Sequence, residues 1–408
     1  DGEEHRVTEY TMSEILSSVH NLMERTGIRE GILFLDEINC VSETLAPMML
    51  QFLQCKTFGN QALPEGWLIV AAGNPPEYNR SVREFDVVTL DRVRRMDVHE
   101  DFAVWKEYAL RKGLHGAVIS YLDIKKENFY RIEQSADGAQ FATARGWEDL
   151  SELIFAYEAL GLRVDRSVVG EYIQLPRIAK DFANYLQLYY KYQQTYHVDD
   201  ILSGKWQRVT ASEFRAAPFD ERLSVMGLLL SRLSEAARAA RRQDALTTAL
   251  HGALTTFKAR IETEPPHAVL AELITQREDA LRRAKEAGQL DAESRTLRRR
   301  ELAALTAYLD ALDADADAMD TLRMRFAAVV EERIALGAAA GAMLEHAFAF
   351  LEEAAGAGQE LVLFVTELTA GYDTAWFIET FGSEAYYRHN RELLFDETRA
   401  RITRELTE

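Results

Sequence analysis

The sequence predicts an α/β domain followed by a long, mostly helical remainder. Three observations carry that prediction. Two short apolar runs, GILFL at 31–35 and WLIVAA at 67–72, are rich in Ile, Leu and Val and too short for helices; such runs fit a parallel sheet buried on both faces. Segments of helical spacing precede and separate them. After about residue 104 strand-like runs cease, and helical periodicity dominates across stretches with few turn residues.

Taken in order, MSEILSSVHNLMERTG (12–27) reads as an amphipathic helix stopped by Gly27. The first strand follows. SETLAPMMLQFLQC (42–55) spaces Leu45, Met48, Met49, Phe52 and Leu53 as a helix face, with Ser42 and Glu43 at its start. Gly59-Asn60 and Pro64-Glu65-Gly66 are turn signals and suggest a small hairpin. After the second strand, a third is expected near RRMDVHE (94–100). Alternating helices and strands give the α/β layout, so residues 1–104 form the first expected domain. Four helical stretches then suggest a small all-helical domain over 105–205. Residues 206–355 read as long helices packed as a hairpin or bundle, broken at Pro265-Pro266. An aromatic-rich region, 356–408, closes the chain.

The bulk numbers narrow the function. The chain has 408 residues, 47% hydrophobic, with a formal net charge of -19. Such an acid excess argues against a nucleic-acid groove, which wants a basic face. Cys40 and Cys55 lack metal-type spacing and read as reduced thiols of a cytoplasmic protein. No continuous apolar run is long enough to span a bilayer. The first residues resemble no signal peptide and contain no initiator Met, as though the chain were cut from something longer.

Chemistry concentrates at strand ends. The first strand runs into Asp36 and Glu37. In open α/β sheets that end faces the ligand crevice. There Asp36 would hold Mg²⁺ through water, and Glu37 would polarise the water attacking a γ-phosphate. For these two acids alone, a solvated acidic turn is an equal reading. The second strand ends in Ala-Gly-Asn-Pro-Pro, and Asn74 would share the attacking water with Glu37, since an amide both donates and accepts. In VTLDRVRRMD (88–97), Arg92 is the candidate to reach a neighbouring subunit's nucleotide in trans, ahead of Arg94 and Arg95. In ATARGWEDLSELI (142–154), Arg145 at a helix start would reach nucleotide phosphates, or else pair with Glu148 or Asp149.

Together these motifs resemble a AAA+ ATPase of the MoxR type over roughly residues 10–205. ILFLDEIN resembles Walker B, AAGNPPEYN sensor 1, LDRV the arginine-finger segment and TARGWEDL sensor 2. The resemblance implies a partial AAA+ αβα core with a helical lid, ATP and Mg²⁺ as cofactors, and a ring, usually a hexamer, that remodels client proteins. It also implies a von Willebrand factor A-domain protein as a partner. One departure is large: no G-x-x-x-x-G-K-[ST] precedes the acids, and SGKW at 203–206 is the nearest string. The expectation is therefore an N-terminally truncated chain, inactive alone and unable to bind ATP tightly. A degenerate AAA+ scaffold subunit and a DNA-linked AAA+ motor are the alternatives.

Other features read as structural. Asp313, Asp315 and Asp317 alternate as in a calcium loop but lack its glycine and its final glutamate. The cluster Arg295, Arg298, Arg299 and Arg300 reads as a solvated helix face. Tyr185, Tyr189, Tyr190, Tyr192 and Tyr196 read as core packing.

Overall fold

A computed structural model describes residues 14–41, 46–59, 61–75, 91, 93–135, 138–312, 318–356 and 358–391. Arg92, the Asp313–Asp317 stretch and the helix start at Ser42 lie outside the described residues. The chain divides into two compact units. Unit 1 comprises Asp1–His99 and Thr263–Leu309; unit 2 comprises Glu100–Glu262 and Asp310–Glu408. Packing therefore does not follow the expected boundaries at 205 and 355.

Unit 1 begins with α1 (Glu14–Thr26), which Gly27 ends in the left-handed conformation at φ 73°. Strand β1 (Gly31–Leu35) is followed by α2 (Ala46–Cys55). A two-residue hairpin, β2 (Thr57–Phe58) and β3 (Gln61–Ala62), forms at the Gly59-Asn60 turn signal. Strand β4 (Trp67–Ala71) pairs parallel with β1 in the register Gly31 to Trp67 through Leu35 to Ala71. One sheet face packs into a core of Leu16, Val19, Phe52, Leu63 and Trp67, with Leu33, Leu35 and Ile69 at its edge. Gly31 is required there, because a Cβ would lie 2.8 Å from the Trp67 ring.

The other face corrects the expectation of a sheet buried on both sides. Ile32, Phe34 and Leu68 are 65%, 57% and 56% exposed. Burial alternates along β1 although the sequence is apolar throughout, because only one layer of described residues covers the sheet. The expected third strand is also absent. Residues 94–100 have no regular structure and are exposed. A strand exists only by pairing, and β1 and β4 are the only members of their sheet among the described residues. Unit 1 is completed by α11 (Pro266–Glu286) and α12 (Ala292–Leu309), joined by an Arg277–Glu301 ion pair.

Unit 2 contains α3 (Phe102–Lys112), α4 (Gly116–Ile124), α5 (Ala144–Ala159), α6 (Arg166–Tyr172), α7 (Pro176–Thr195), α8 (Val198–Leu202) and α9 (Arg208–Ala216). Between α4 and α5 lies a hairpin the helical reading missed, β5 (Arg131–Ser135) with β6 (Gly138–Ala142). Then come α10 (Phe219–Arg260), α13 (Ala318–Ala355), α14 (Gln359–Ala370) and α15 (Tyr372–Phe381). Among the described residues, the helices of 102–202 share one hydrophobic core with α9, α10 and α13–α15. Helices α10 and α13 run antiparallel. Gln243 Nε2 donates to Glu332 Oε2 at 2.9 Å, and the rings of His251 and Phe326 lie 6.2 Å apart. The tyrosines of α7 pack as expected: Tyr189 is buried, and Tyr185 Oη donates to Ser120 Oγ at 2.9 Å. Among the described residues, α13 is long and apolar enough to cross a membrane, with an 18-residue window averaging a hydropathy of 1.6. Glu345 and His346 interrupt its apolar residues, which is why continuous apolar runs did not reveal it.

Candidate functional site

The parallel register decides what the acids meet. Leu35 sits beside Ala71, so the turn after β1 and the turn after β4 emerge at the same sheet end. The ladder continues past the strands: Ala72 N donates to Leu35 O at 2.9 Å, and Ile38 N to Ala72 O at 3.0 Å. Ile38 is buried and anchors a single 3-10 turn, Ile38–Cys40.

Within this bend, Glu37 adopts φ 52° and ψ 37°. A left-handed conformation costs an L-residue about 1–2 kcal/mol. Glu37 N donates to Asp36 Oδ1 at 2.9 Å. Both acids are exposed. Neither forms an ion pair with a cationic side chain among the described residues. Asn74 is likewise exposed, and its amide makes no hydrogen bond among the described residues.

Asn39 joins the two turns. Its Nδ2 donates to Asn74 O at 2.7 Å. Because the partner is a carbonyl, the amide orientation is fixed. Its Oδ1 is buried with no hydrogen-bond partner in the described structure. Gly73 permits the approach, since a Cβ there would lie 2.5 Å from Asn39 Oδ1. Asn39 had no role in the sequence reading. Its signal was position alone, two residues after Glu37, and a contact 35 residues away is not visible in one sequence.

Arg94 and Arg95 are exposed, and Arg95 Nε pairs with Asp97 at 2.8 Å. Arg145 belongs to unit 2. It is exposed on the first turn of α5, which Thr143 caps by accepting from Gly146 N at 3.2 Å. Its expected partner Glu148 instead binds Lys112 and Tyr108. The hydrogen bond to Glu148 raises the Lys112 pKa despite opposing desolvation. The SGKW string follows α8: Ser203 is its C-cap and Gly204 takes φ 76° against the His346 ring, which is a helix stop and not a phosphate loop.

The fit to Mg²⁺ and a nucleotide is partial. Two exposed acids with free carboxylate oxygens suit a cation held through water. No group of three or more His, Cys, Asp or Glu side chains is assembled for direct coordination among the described residues. No phosphate-cradling loop accompanies the acids among them either. Neither family models, curated proteins nor solved structures match this chain.

Proposed function

We propose that the Asp36–Glu37 turn and the Asn74 turn are the water-activating half of a nucleotide triphosphatase site. The observation that carries this reading is the β1–β4 register, which sets both turns side by side, with Asn39 bonding one to the other. Asp36 would hold hydrated Mg²⁺, whose chemistry is to neutralise phosphate charge. Glu37 would accept the proton of the attacking water, and the Asn74 amide would orient that water. The strained Glu37 backbone supports this reading, because such strain gathers at functional sites.

The two-stranded sheet leaves an open edge on β4 among the described residues, and a further strand paired there would bring the phosphate cradle. On this proposal the parent protein is a MoxR-like AAA+ ATPase, ring-forming and cytoplasmic. It acts on protein clients, with a von Willebrand factor A-domain protein as a partner. Arg92 and Arg145 would contribute from the neighbouring subunit and the helical unit. The acidic balance disfavours the DNA-motor alternative, and the exposed, unpaired acids disfavour the scaffold alternative.

The test is ATP turnover by the natural full-length polypeptide. Glu37→Gln is expected to abolish hydrolysis while nucleotide is retained, with a loss of about 10²-fold or more for removal of a general base. The 408-residue chain alone is expected to show no tight Mg²⁺-dependent ATP binding. Undiminished turnover in the Gln variant refutes the role of Glu37.

A further inference from the structure

Unit 2 holds a cavity of about 350 Å³ that the proposed chemistry does not use. Its floor is one stripe of α10, where Leu223, Met226, Gly227, Leu230, Ser231 and Ser234 recur at helical spacing. Helix α4 forms one wall, drawn close because glycine faces serine across the seam. A Cβ on Gly227 would lie 2.9 Å from Ser120 Cβ, and one on Gly116 would lie 2.9 Å from Ser231 Cβ. Helix α14 contributes Leu363 and Glu367 to the other wall. Lys106 of α3 bridges the walls, with Nζ 2.7 Å from Asp123 and 2.6 Å from Glu367. Phe155 and Phe219 also line the cavity, and both are exposed.

The polar inventory selects the ligand. Three acids on the lining, Asp123, Glu235 and Glu367, outnumber its two cations, Lys126 and Arg238. Asp123 and Glu367 share Lys106, Glu235 meets Arg232, and Arg238 is held by Asp373, which also takes Arg241. A carboxylate would meet that acid excess, with the exposed Lys126 the one lining cation outside an ion pair among the described residues, and would lose hydration on entry. Two hydroxyls remain. Ser120 Oγ donates to Gly116 O at 2.7 Å in the usual helical manner, whereas Ser231 and Ser234 make no hydrogen bond among the described residues. At about 30 Å³ for a water-sized group, the cavity holds roughly a dozen heavy atoms. Leu223 to Ser234 spans about 16 Å at the helical rise.

We propose that this cavity binds an uncharged, medium-chain aliphatic alcohol, its chain along Leu223, Met226 and Leu230 and its hydroxyl at Ser231 and Ser234. The volume lies within the range of ligand pockets, and a mostly apolar lining with a few placed polar groups is their usual character.

The test is calorimetric titration of the whole chain with 1-decanol and, separately, decanoate. Saturable decanol binding is expected, with decanoate weaker by at least about tenfold because its charge meets the acid excess of the lining and loses hydration. Ser231→Ala combined with Ser234→Ala should weaken decanol about tenfold by removing the hydroxyl partners. Ser234→Trp, which fills the cavity, should abolish binding. A diazirine-bearing decanol provides a readout that needs no variant, and its crosslinks should map to the α10 stripe from Leu223 to Ser234. No saturable decanol binding, equal affinity for decanoate, retained binding in a folded Ser234→Trp protein, or crosslinks elsewhere would each overturn the proposal.

Discussion

Replacing Asp373 by alanine should be among the most damaging single substitutions in unit 2. The Asp373 side chain is 1% exposed and holds two guanidinium groups, Arg238 Nε at 2.7 Å and Arg241 Nε at 2.8 Å, themselves 17% and 15% exposed. The triad ties α10 to the start of α15. Removing the shared acid leaves two like charges facing each other where water is scarce. Breaking a buried pair from one side costs about 3–5 kcal/mol. Here the arginines keep part of their surroundings. Arg238 Nη2 donates to Leu110 O at 3.2 Å, and Arg241 lies 5.0 Å from the Tyr372 ring centroid. The lower end, about 3 kcal/mol, is therefore expected. In a unit of this size that corresponds to a melting shift of about 6–12 °C. Scanning calorimetry resolves it, with Asp320→Ala as the control, since the Asp320–Arg323 pair is exposed on both sides and such pairs contribute about 0.5 kcal/mol or less. Joint replacement of Asp373, Arg238 and Arg241 by apolar residues should recover most of the loss, because it leaves no uncompensated charge. If Asp373→Ala costs no more than Asp320→Ala, the triad is not a desolvated clamp and the reasoning fails.

Three further outcomes are expected. At Asn39, alanine should cost unit 1 about 1 kcal/mol, since one hydrogen bond is lost while a buried orphan oxygen is also removed. Aspartate should cost more because it sets an oxygen against Asn74 O; equal denaturation midpoints for the two variants would count against the assigned contact. On α10, Gly227→Ala should destabilise by about 1–3 kcal/mol through the clash with Ser120, whereas Gly252→Ala, with nothing within 4 Å, should stabilise by about 0.5–1 kcal/mol. Thermal melts of the two variants should move in opposite directions. Burial pushes the Tyr185 pKa up to about 12 and also raises those of Tyr121 and Tyr189. Raised folded-state values mean that the stability they contribute is complete below the unfolded value of about 10 and is lost as pH climbs towards 12. Tyrosinate absorbance should therefore rise together with loss of far-UV dichroism, and ionisation of these tyrosines within an intact fold would contradict the burial argument.

What the sequence disclosed follows the range of the interactions involved. GILFL and WLIVAA became β1 and β4, Gly27 ended α1, and Gly59-Asn60 turned a hairpin, because each signal is local. The β5–β6 hairpin carried a local signal too, Asp137-Gly138 between short alternating runs, but the surrounding helical texture concealed it. Residues 94–100 form no strand: the segment has a single β-branched residue, Val98, and pairing depends on a neighbour that no single segment supplies. Similarly, the acids at 36 and 37 and the amide at 74 were identifiable by type, and their adjacency follows from the strand register. Asn39, which bonds the two turns, was not identifiable, and neither was the uncovered face of β1. The long helices were foreseen from scarce turn residues, but which helices share a core was not. That assignment rests on pairings such as Gln243 with Glu332 and Arg238 with Asp373, far apart in the chain.

The division of the chain into interleaved units has a consequence during synthesis. Unit 1 draws its last helices from Thr263–Leu309, after all of Glu100–Glu262 has been made. Its N-terminal segment therefore leaves the ribosome without the partners that complete it. It waits while 210 further residues, counted from His99 to Leu309, are added, roughly 10–40 s at about 5–20 residues per second. Throughout that interval the apolar side chains of β1 and β4 have fewer neighbours than in the finished fold. Holding nascent chains at intermediate lengths should show this segment to be protease-sensitive until α12 emerges. A recombinant piece ending near residue 99 would remain permanently in that early condition.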